Sequence, residues 1–516
     1  MTGPITPVNI LMILDGWGIS DTIHGNAVAQ AHTPFLDLLL KNAPHCRLQC
    51  SGPAVGLPEG TMGNSEVGHM NIGAGRRVLQ DLIRINTAIQ DRSFFDNPVL
   101  KTAMDTIVSQ KKALHLMGLL SDGGVHSHIT HLLALVDMAR TCGLPTVYIH
   151  AILDGRDTPP TSGITYLTRL QQHLDRHQYG KIKTIAGRYW TMDRDTRWDR
   201  VQKGYDLMTR AHGDRYTDPL AALNDAYGKG QTDEFISPVF IEDRDGSDTG
   251  IITNGDGVIF FNFRADRAKE ITRAFTQTDF TAFTRISRPD LSCFVTMTRY
   301  DDTFDLPAAF GPEQLTGIFG EVLSRHGIPQ LRLAETEKYA HVTYFFNGGE
   351  ETAFDGEERI LIPSPRDVAT YDEKPQMSAF EVADRACREI RSGRFSFIVL
   401  NFANMDMVGH TGVLAAAVTA CETVDQCVRQ VVETIWETGG TAFVTADHGN
   451  SEQMVAPDGS PHTAHTLNPV PFIIASAGLP AMRLKDGVLG DIAPTILKVL
   501  CLPQPEEMTG TALITD

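Results

Sequence analysis

Short apolar runs alternate with helix-period segments along almost the whole chain. Residues 9–14, 113–120, 146–153, 183–186, 257–263, 395–401 and 441–446 are strand-length and nearly continuous in hydrophobicity. That is the pattern of strands buried on both faces of a sheet. Residues 129–142, 162–176 and 315–324 space their apolar positions as helices do, and Gly327 supplies a helix-ending signal. The alternation predicts an α/β protein. No repeat or low-complexity linker interrupts it, and the polar stretch 242–254 predicts a surface loop.

Three of the apolar runs, far apart in sequence, lead into acidic or imidazole residues: 9–14 into Asp15, 395–401 into Asp406 and His410, and 441–446 into Asp447 and His448. In open α/β sheets ligands bind beyond the carboxyl ends of strands. These residues lie near the two chain ends, whereas the middle is rich in arginine motifs. The expected organisation is therefore a metal-binding domain made from residues 1–79 and 312–516, with a second, substrate-binding α/β domain, 80–311, inserted into it.

Composition narrows the class. The chain has 516 residues and 42% hydrophobic content, enough for two large cores. Its formal net charge of −18 argues against a general nucleic-acid binder, so an anionic substrate would need a local cluster of arginines. Eight cysteines are scattered without a CxxC pair, which reads as reduced thiols rather than a disulfide scaffold. No apolar run is long enough to span a membrane. The expectation is a soluble, cytoplasmic, monomeric enzyme acting on a small molecule.

The candidate chemistry centres on residues 61–76, TMGNSEVGHMNIGAGR. Ser65 sits among small residues just ahead of an amphipathic run, where a helix N-terminus would favour an incoming anion. A serine hydroxyl needs a base or metal to act as a nucleophile. Asp406 and His410 are spaced i,i+4, which places them on one helical face. Asp447 and His448 are adjacent, and residues 461–466 add His462 and His465, between which spacing does not choose. Mixed carboxylate and imidazole donors suit manganese or zinc. The middle segment offers Arg156 with Asp157, Arg188 with Arg194, and Arg264 with Arg267, each pair after a strand-like run. Arginine forks grip phosphate or carboxylate. Asp157 reads either as a general acid/base or as a salt-bridge partner holding an arginine. Among His126, His128 and His131, one substrate contact with the others structural fits better than a further metal site. Lys338 reads by default as a surface lysine. The Arg325-His326-Gly327 tripeptide of histidine phosphatases lies at the end of a helical pattern deep in the chain and carries little weight.

The motifs at 14–18, 62–75, 121–128, 334–341, 406–410, 445–450 and 462–472 together resemble the 2,3-bisphosphoglycerate-independent phosphoglycerate mutases, in order along essentially the whole chain. Thr61 and Met405 are small departures at positions that are not proposed ligands. The resemblance implies an alkaline phosphatase-like metal domain carrying two divalent ions, usually manganese. One ion would be held by Asp406, His410 and His465, the other by Asp15, Ser65, Asp447 and His448. Substrate contacts would fall on His126, Arg156, Asp157, Arg188, Arg194, Arg264, Arg267 and Lys338. The implied reaction interconverts 3-phosphoglycerate and 2-phosphoglycerate through a phosphoserine, with Ser65, Asp157 and Lys338 catalytic. A metal-dependent phosphatase of the same superfamily is the alternative.

Overall fold

In the computed structural model, which describes residues 7–243, 245, 249–477 and 482–515, the chain divides into two units. One comprises the described residues of Met1–Gln80 and Gln314–Asp516, the other Asp81–Glu313. Each is built around an eight-stranded sheet.

In the first unit five neighbouring strands run parallel, in the order Glu357–Ile362, Gln330–Glu335, Phe397–Phe402, Asn9–Leu14 and Thr441–Thr445. Val470–Ser476 and then His45–Gln49 continue the sheet antiparallel, and Gly487–Val488 closes the edge. The central strands read as unbroken apolar runs because both faces are covered. Leu11, Met12, Ile398, Val399, Phe443 and Val444 are all fully buried, each contributing about 1.5–3 kcal/mol of transfer free energy. The helix Leu414–Glu437 packs on this sheet through Ala417, Ala420, Cys421, Val424, Val428, Val431 and Ile435, a stripe at helical spacing. Register places the chemistry. Ile13 pairs with Asn401 on one side and Thr445 on the other, so three strands end flush and their following residues emerge together.

The second unit orders its strands Ala308–Phe310, Cys293–Thr298, Gly257–Phe260, Leu114–Leu119, Val147–Leu153, Lys181–Gly187, Val239–Ile241 and Asp214–Tyr216. All pairs are parallel except Lys181–Gly187 with Val239–Ile241. Helices Ile129–Thr141 and Gly163–His177 fall within a residue or two of the expected segments.

Some elements differ from the sequence pattern. The run 257–263 forms a strand only to Phe260. The Asn262 side chain accepts from the Leu119 N–H at 2.9 Å, and Phe263 N–H bonds the His126 carbonyl at 2.8 Å. These contacts turn the chain out of the ladder toward Arg264. The helix expected over 315–324 begins only at Phe319 and ends at Arg325, because Gly317 takes a left-handed φ of +64° with its N–H bonded to Glu321 Oε2. The loop 242–254 is not wholly superficial. Ile252 is fully buried, while Arg244 and residues 246–248 lie outside the described residues. The run after Ser65 is a helix, Ser65–Ala74, but it is buried almost all round rather than amphipathic. All eight cysteines are free thiols, five of them buried. Among the described residues, no helix is long and apolar enough to cross a membrane.

Candidate active site

Ser65 is the first residue of its helix, capped by Asn64, whose side chain accepts from the Val67 N–H. The helix approaches the carboxyl end of the sheet closely because it carries glycine where a side chain would collide: a Cβ on Gly68 would lie 2.7 Å from Asp447 Cβ. A second close approach occurs at Gly16, which has φ +82°. A Cβ there would meet the Asp406 backbone nitrogen at 2.8 Å. These two glycines let Asp15, Asp406, Asp447 and Ser65 crowd around one point.

Ser65 Oγ lies 3.2 Å from Asp15 Oδ1, 3.0 Å from His448 Nε2 and 2.7 Å from Lys338 Nζ. Lys338 is not the surface lysine that its sequence context suggests. It follows the strand Gln330–Glu335, is 3% exposed, and donates to Asp15 Oδ1 at 2.8 Å and Asp406 Oδ2 at 2.6 Å. Burial alone would weaken its hold on the proton, but Asp15, Asp406 and Asp447 outweigh that and raise its pKa. Conversely, burial pushes the Asp15 and Asp406 carboxyls up, while Lys338 and the histidines hold both well below the usual range. Asp447 is also lowered against burial and Asp15, by His448 and His69. His448 is fully buried, which disfavours its cation, yet Asp447, Asp15 and Asp406 push it up to about 9. Three buried carboxylates thus face one ammonium and the His448 imidazole, still an excess of negative charge that favours further cations.

The donors are arranged to receive them. His410 and His465 direct Nδ1 at the carbonyls of Thr463 and Gly63, at 2.7 and 2.9 Å. Their Nε2 atoms lie 3.1 Å apart and each 3.1 Å from Asp406 Oδ1. With Nδ1 donating to a carbonyl, Nε2 is left as a lone-pair donor, the usual way a metal-binding imidazole is oriented. Ligand atoms of Asp406, His448 and His465 lie within 4.8 Å of one another, and so do those of Asp15, His69 and Asp447. Asp447 Oδ2 is buried without a hydrogen-bond partner. Among the described residues, His462 makes no side-chain hydrogen bond or ion pair with this group, and its Nδ1 is buried without a partner.

Four residues with no role assigned from sequence support the site. His69, one helical turn after Ser65, donates through Nδ1 to the Ser65 carbonyl at 2.8 Å and lies 3.2 Å from Asp447 Oδ2. Asn401 donates to Asp15 Oδ2 at 2.8 Å and touches His69 Nε2 at 3.0 Å. Asn450 reaches Asp406 Oδ1 at 3.3 Å. Glu452 accepts from the Gly18 and Asn450 N–H groups and from Thr466 and Asn468, tying three loops together. The i+4 offset of His69 from Ser65 was a visible signal. Nothing local marks Glu452.

In the second unit the arginine motifs follow the strands Gly257–Phe260, Val147–Leu153 and Lys181–Gly187, and His126 follows Leu114–Leu119, which lies between the first two. Arg188 is 3% exposed, and its Nη1 lies 2.7 Å from Asp154 Oδ1 and 2.6 Å from Asp157 Oδ2, with Nη2 2.9 Å from His126 Nε2. Asp154, not singled out from sequence, also receives the Ser121 hydroxyl and the N–H groups of Arg156 and Asp157. Asp266 binds Arg264 Nε at 3.1 Å and Arg194 Nη1 at 3.2 Å, and lies 3.5 Å from His126 Nδ1. Burial and then Arg188 lower the His126 pKa to about 4, so it is neutral at pH 7. Burial followed by the charges of Arg188, Arg194 and Arg156 lowers Arg267 too, a sign of concentrated positive potential. Arg156 is half exposed, 3.7 Å from Glu234. His128 caps the helix Ile129–Thr141, and His131 bonds Asn86.

Known proteins resemble the chain along its whole length. Residues 85–302 match the family model described as the BPG-independent PGAM N-terminus. The 2,3-bisphosphoglycerate-independent phosphoglycerate mutase of Syntrophotalea carbinolica is 54% identical, covering 100% of this chain and 99% of the relative. Mutase 2 of that type from Methanosarcina acetivorans is 53% identical, covering 98% and 97%. The solved structure of Leishmania mexicana phosphoglycerate mutase at low cobalt concentration is 32% identical with a TM-score of 0.62, covering 100% of this chain and 99% of that one. Similarity at this level from end to end, over both the serine-centred unit and the arginine-bearing one, means that the chain belongs to the 2,3-bisphosphoglycerate-independent phosphoglycerate mutase family.

Proposed function

We propose that the chain interconverts 3-phosphoglycerate and 2-phosphoglycerate through a phosphoserine on Ser65, as a monomeric cytoplasmic enzyme that needs no 2,3-bisphosphoglycerate. The observation that carries the reading is Ser65 Oγ, held at a helix N-terminus within 3.2 Å of Asp15, His448 and Lys338.

The donor chemistry and the charge excess fit two divalent ions, manganese in this reading. Asp406, His410 and His465 would hold one, and Asp15, Ser65, Asp447 and His448 the other. When bound, the ions supply positive charge that polarises the phosphoryl oxygens and lowers the proton affinity of the serine. The protein's own groups do the rest. Lys338 and the helix N-terminus stabilise charge on the equatorial oxygens. Ser65 would react as its alkoxide, its proton released to solvent beforehand; the Oγ–phosphorus bond forms as the bond from phosphorus to the glycerate oxygen breaks, and the departing oxygen takes a proton from Asp157. The glycerate, held by Arg156, Arg188, Arg194, Arg264 and Arg267 with neutral His126, then presents its other hydroxyl. That hydroxyl returns a proton to Asp157 and attacks phosphorus as the serine bond breaks, so Ser65 begins and ends the cycle in one state. Retaining the alcohol is what separates a mutase from a phosphatase, and the arginine cluster supports retention.

The test is Ser65→Ala. Intact mass after incubation with 3-phosphoglycerate should show a phosphoryl adduct in the wild type and none in the variant, with turnover lost and fold retained. Normal turnover in the variant would end the proposal.

A further inference from the structure

Outside the active-site residues, two helices of the second unit bring three metal-ligating side chains together. His173 and His177 sit one turn apart at the end of the helix Gly163–His177. Asp137 projects toward them from the helix Ile129–Thr141. Asp137 Oδ1 lies 3.0 Å from His173 Nε2 and 3.9 Å from His177 Nε2. The two rings are 4.9 Å apart and inclined at 63°. All three ligand atoms fall within 4.8 Å of one another. Around a tetrahedral ion with bonds of about 2.0–2.1 Å, neighbouring ligand atoms stand roughly 3.3 Å apart, so the observed spacings bracket what an ion needs. The side chains are 14%, 28% and 36% exposed for His173, His177 and Asp137. That leaves water access and open coordination positions.

A structural ion pair accounts for only part of this. A histidine in the last turn of a helix is favoured by the macrodipole, and one imidazole suffices to partner Asp137. Convergence of a second imidazole on the same carboxylate oxygen is what a metal site requires. We propose that Asp137, His173 and His177 form a divalent-cation site distinct from the catalytic donors. Two imidazoles and one carboxylate select borderline ions such as zinc or nickel over magnesium or calcium. The ion cross-links the two helices, whose apolar faces already share a core through Leu132, Val136, Leu167, Leu170 and Leu174. Binding therefore stabilises that pairing by mass action.

The test uses full-length protein saturated with manganese and dialysed to equilibrium against nickel. Wild type should retain one more nickel equivalent than His173→Ala/His177→Ala, and the two should turn over equally in nickel-free manganese buffer. Asp137→Asn should weaken nickel binding about tenfold. Equal nickel content in wild type and double variant would overturn the proposal. Should the double variant lose its helical circular dichroism, His177→Gln alone decides: nickel binding weakened about tenfold supports the site, and unchanged binding overturns it.

Discussion

Gly68→Ala separates positional demands at the active centre from general stability. Gly68 lies inside the helix Ser65–Ala74, and an added Cβ would stand 2.7 Å from Asp447 Cβ and 2.8 Å from the Asp447 carbonyl oxygen. Carbon atoms pack at about 3.5–4.0 Å, so roughly 1 Å must open between the serine helix and the Asp447 loop. Overpacking of this kind costs about 1–3 kcal/mol, and alanine recovers about 1 kcal/mol of helix propensity over glycine. The net loss of stability should be about 1 kcal/mol, read as a small shift in the urea midpoint. Activity should suffer far more. Ser65 and Asp447 would be displaced relative to each other, and a misplacement near 1 Å costs on the order of 100-fold. An enolase-coupled assay should therefore show kcat/KM reduced about 100-fold in folded protein. Gly228→Ala is the control: it ends a helix, is not in the left-handed region, and has nothing within 4 Å of its would-be Cβ. That variant should match wild type in both assays. If Gly68→Ala kept wild-type kcat/KM, the spacing of Asp447 and Ser65 would not limit catalysis, and the metal-ligand role of Asp447 would fall with it.

Three further outcomes are expected. Chelation should abolish turnover and manganese should restore it; full activity in metal-depleted protein would exclude the two-ion site. Arg264→Lys and Arg267→Lys keep charge but lose the fork, so the ratio of phosphate released to mutase turnover should rise in parallel assays, and wild-type turnover and leakage in both would remove them from the clamp. Glu335 is buried, which pushes its carboxyl up from 4.5 to about 7 despite the Ser364 hydroxyl bonded to it. Its folded pKa lies above the unfolded value, so its contribution to stability is complete below pH ~4.5 and is lost as pH rises through about 7. Glu335→Gln should remove this dependence, gaining about 3 kcal/mol relative to wild type across that window in urea unfolding. Parallel stability profiles for the two proteins would show that the carboxyl does not titrate there.

Much of the architecture is local information. The strands that lead into Asp15, Asp406 and Asp447 announce themselves as apolar runs because strands covered on both faces need no polar alternation. The i,i+4 spacing of Asp406 and His410 follows from helix geometry. Long motifs around Ser65, Asp447 and His465 also carried the family resemblance. Other features depend on contacts between distant segments. Lys338 reads as a surface lysine in its own stretch, and only the approach of Asp15 and Asp406, more than 60 residues away along the chain, turns it into a buried ammonium. The buried character of the Ser65 helix likewise depends on glycine-mediated approach to Asp447. Asp154 and Glu452 orient loops from four or more different positions in sequence, with no spacing signal to mark them. Local pattern determines which residues sit at strand ends and helix starts. Burial, charge compensation and the meeting of donors at one point are decided by long-range packing, because each is a property of what surrounds a side chain rather than of its neighbours along the chain.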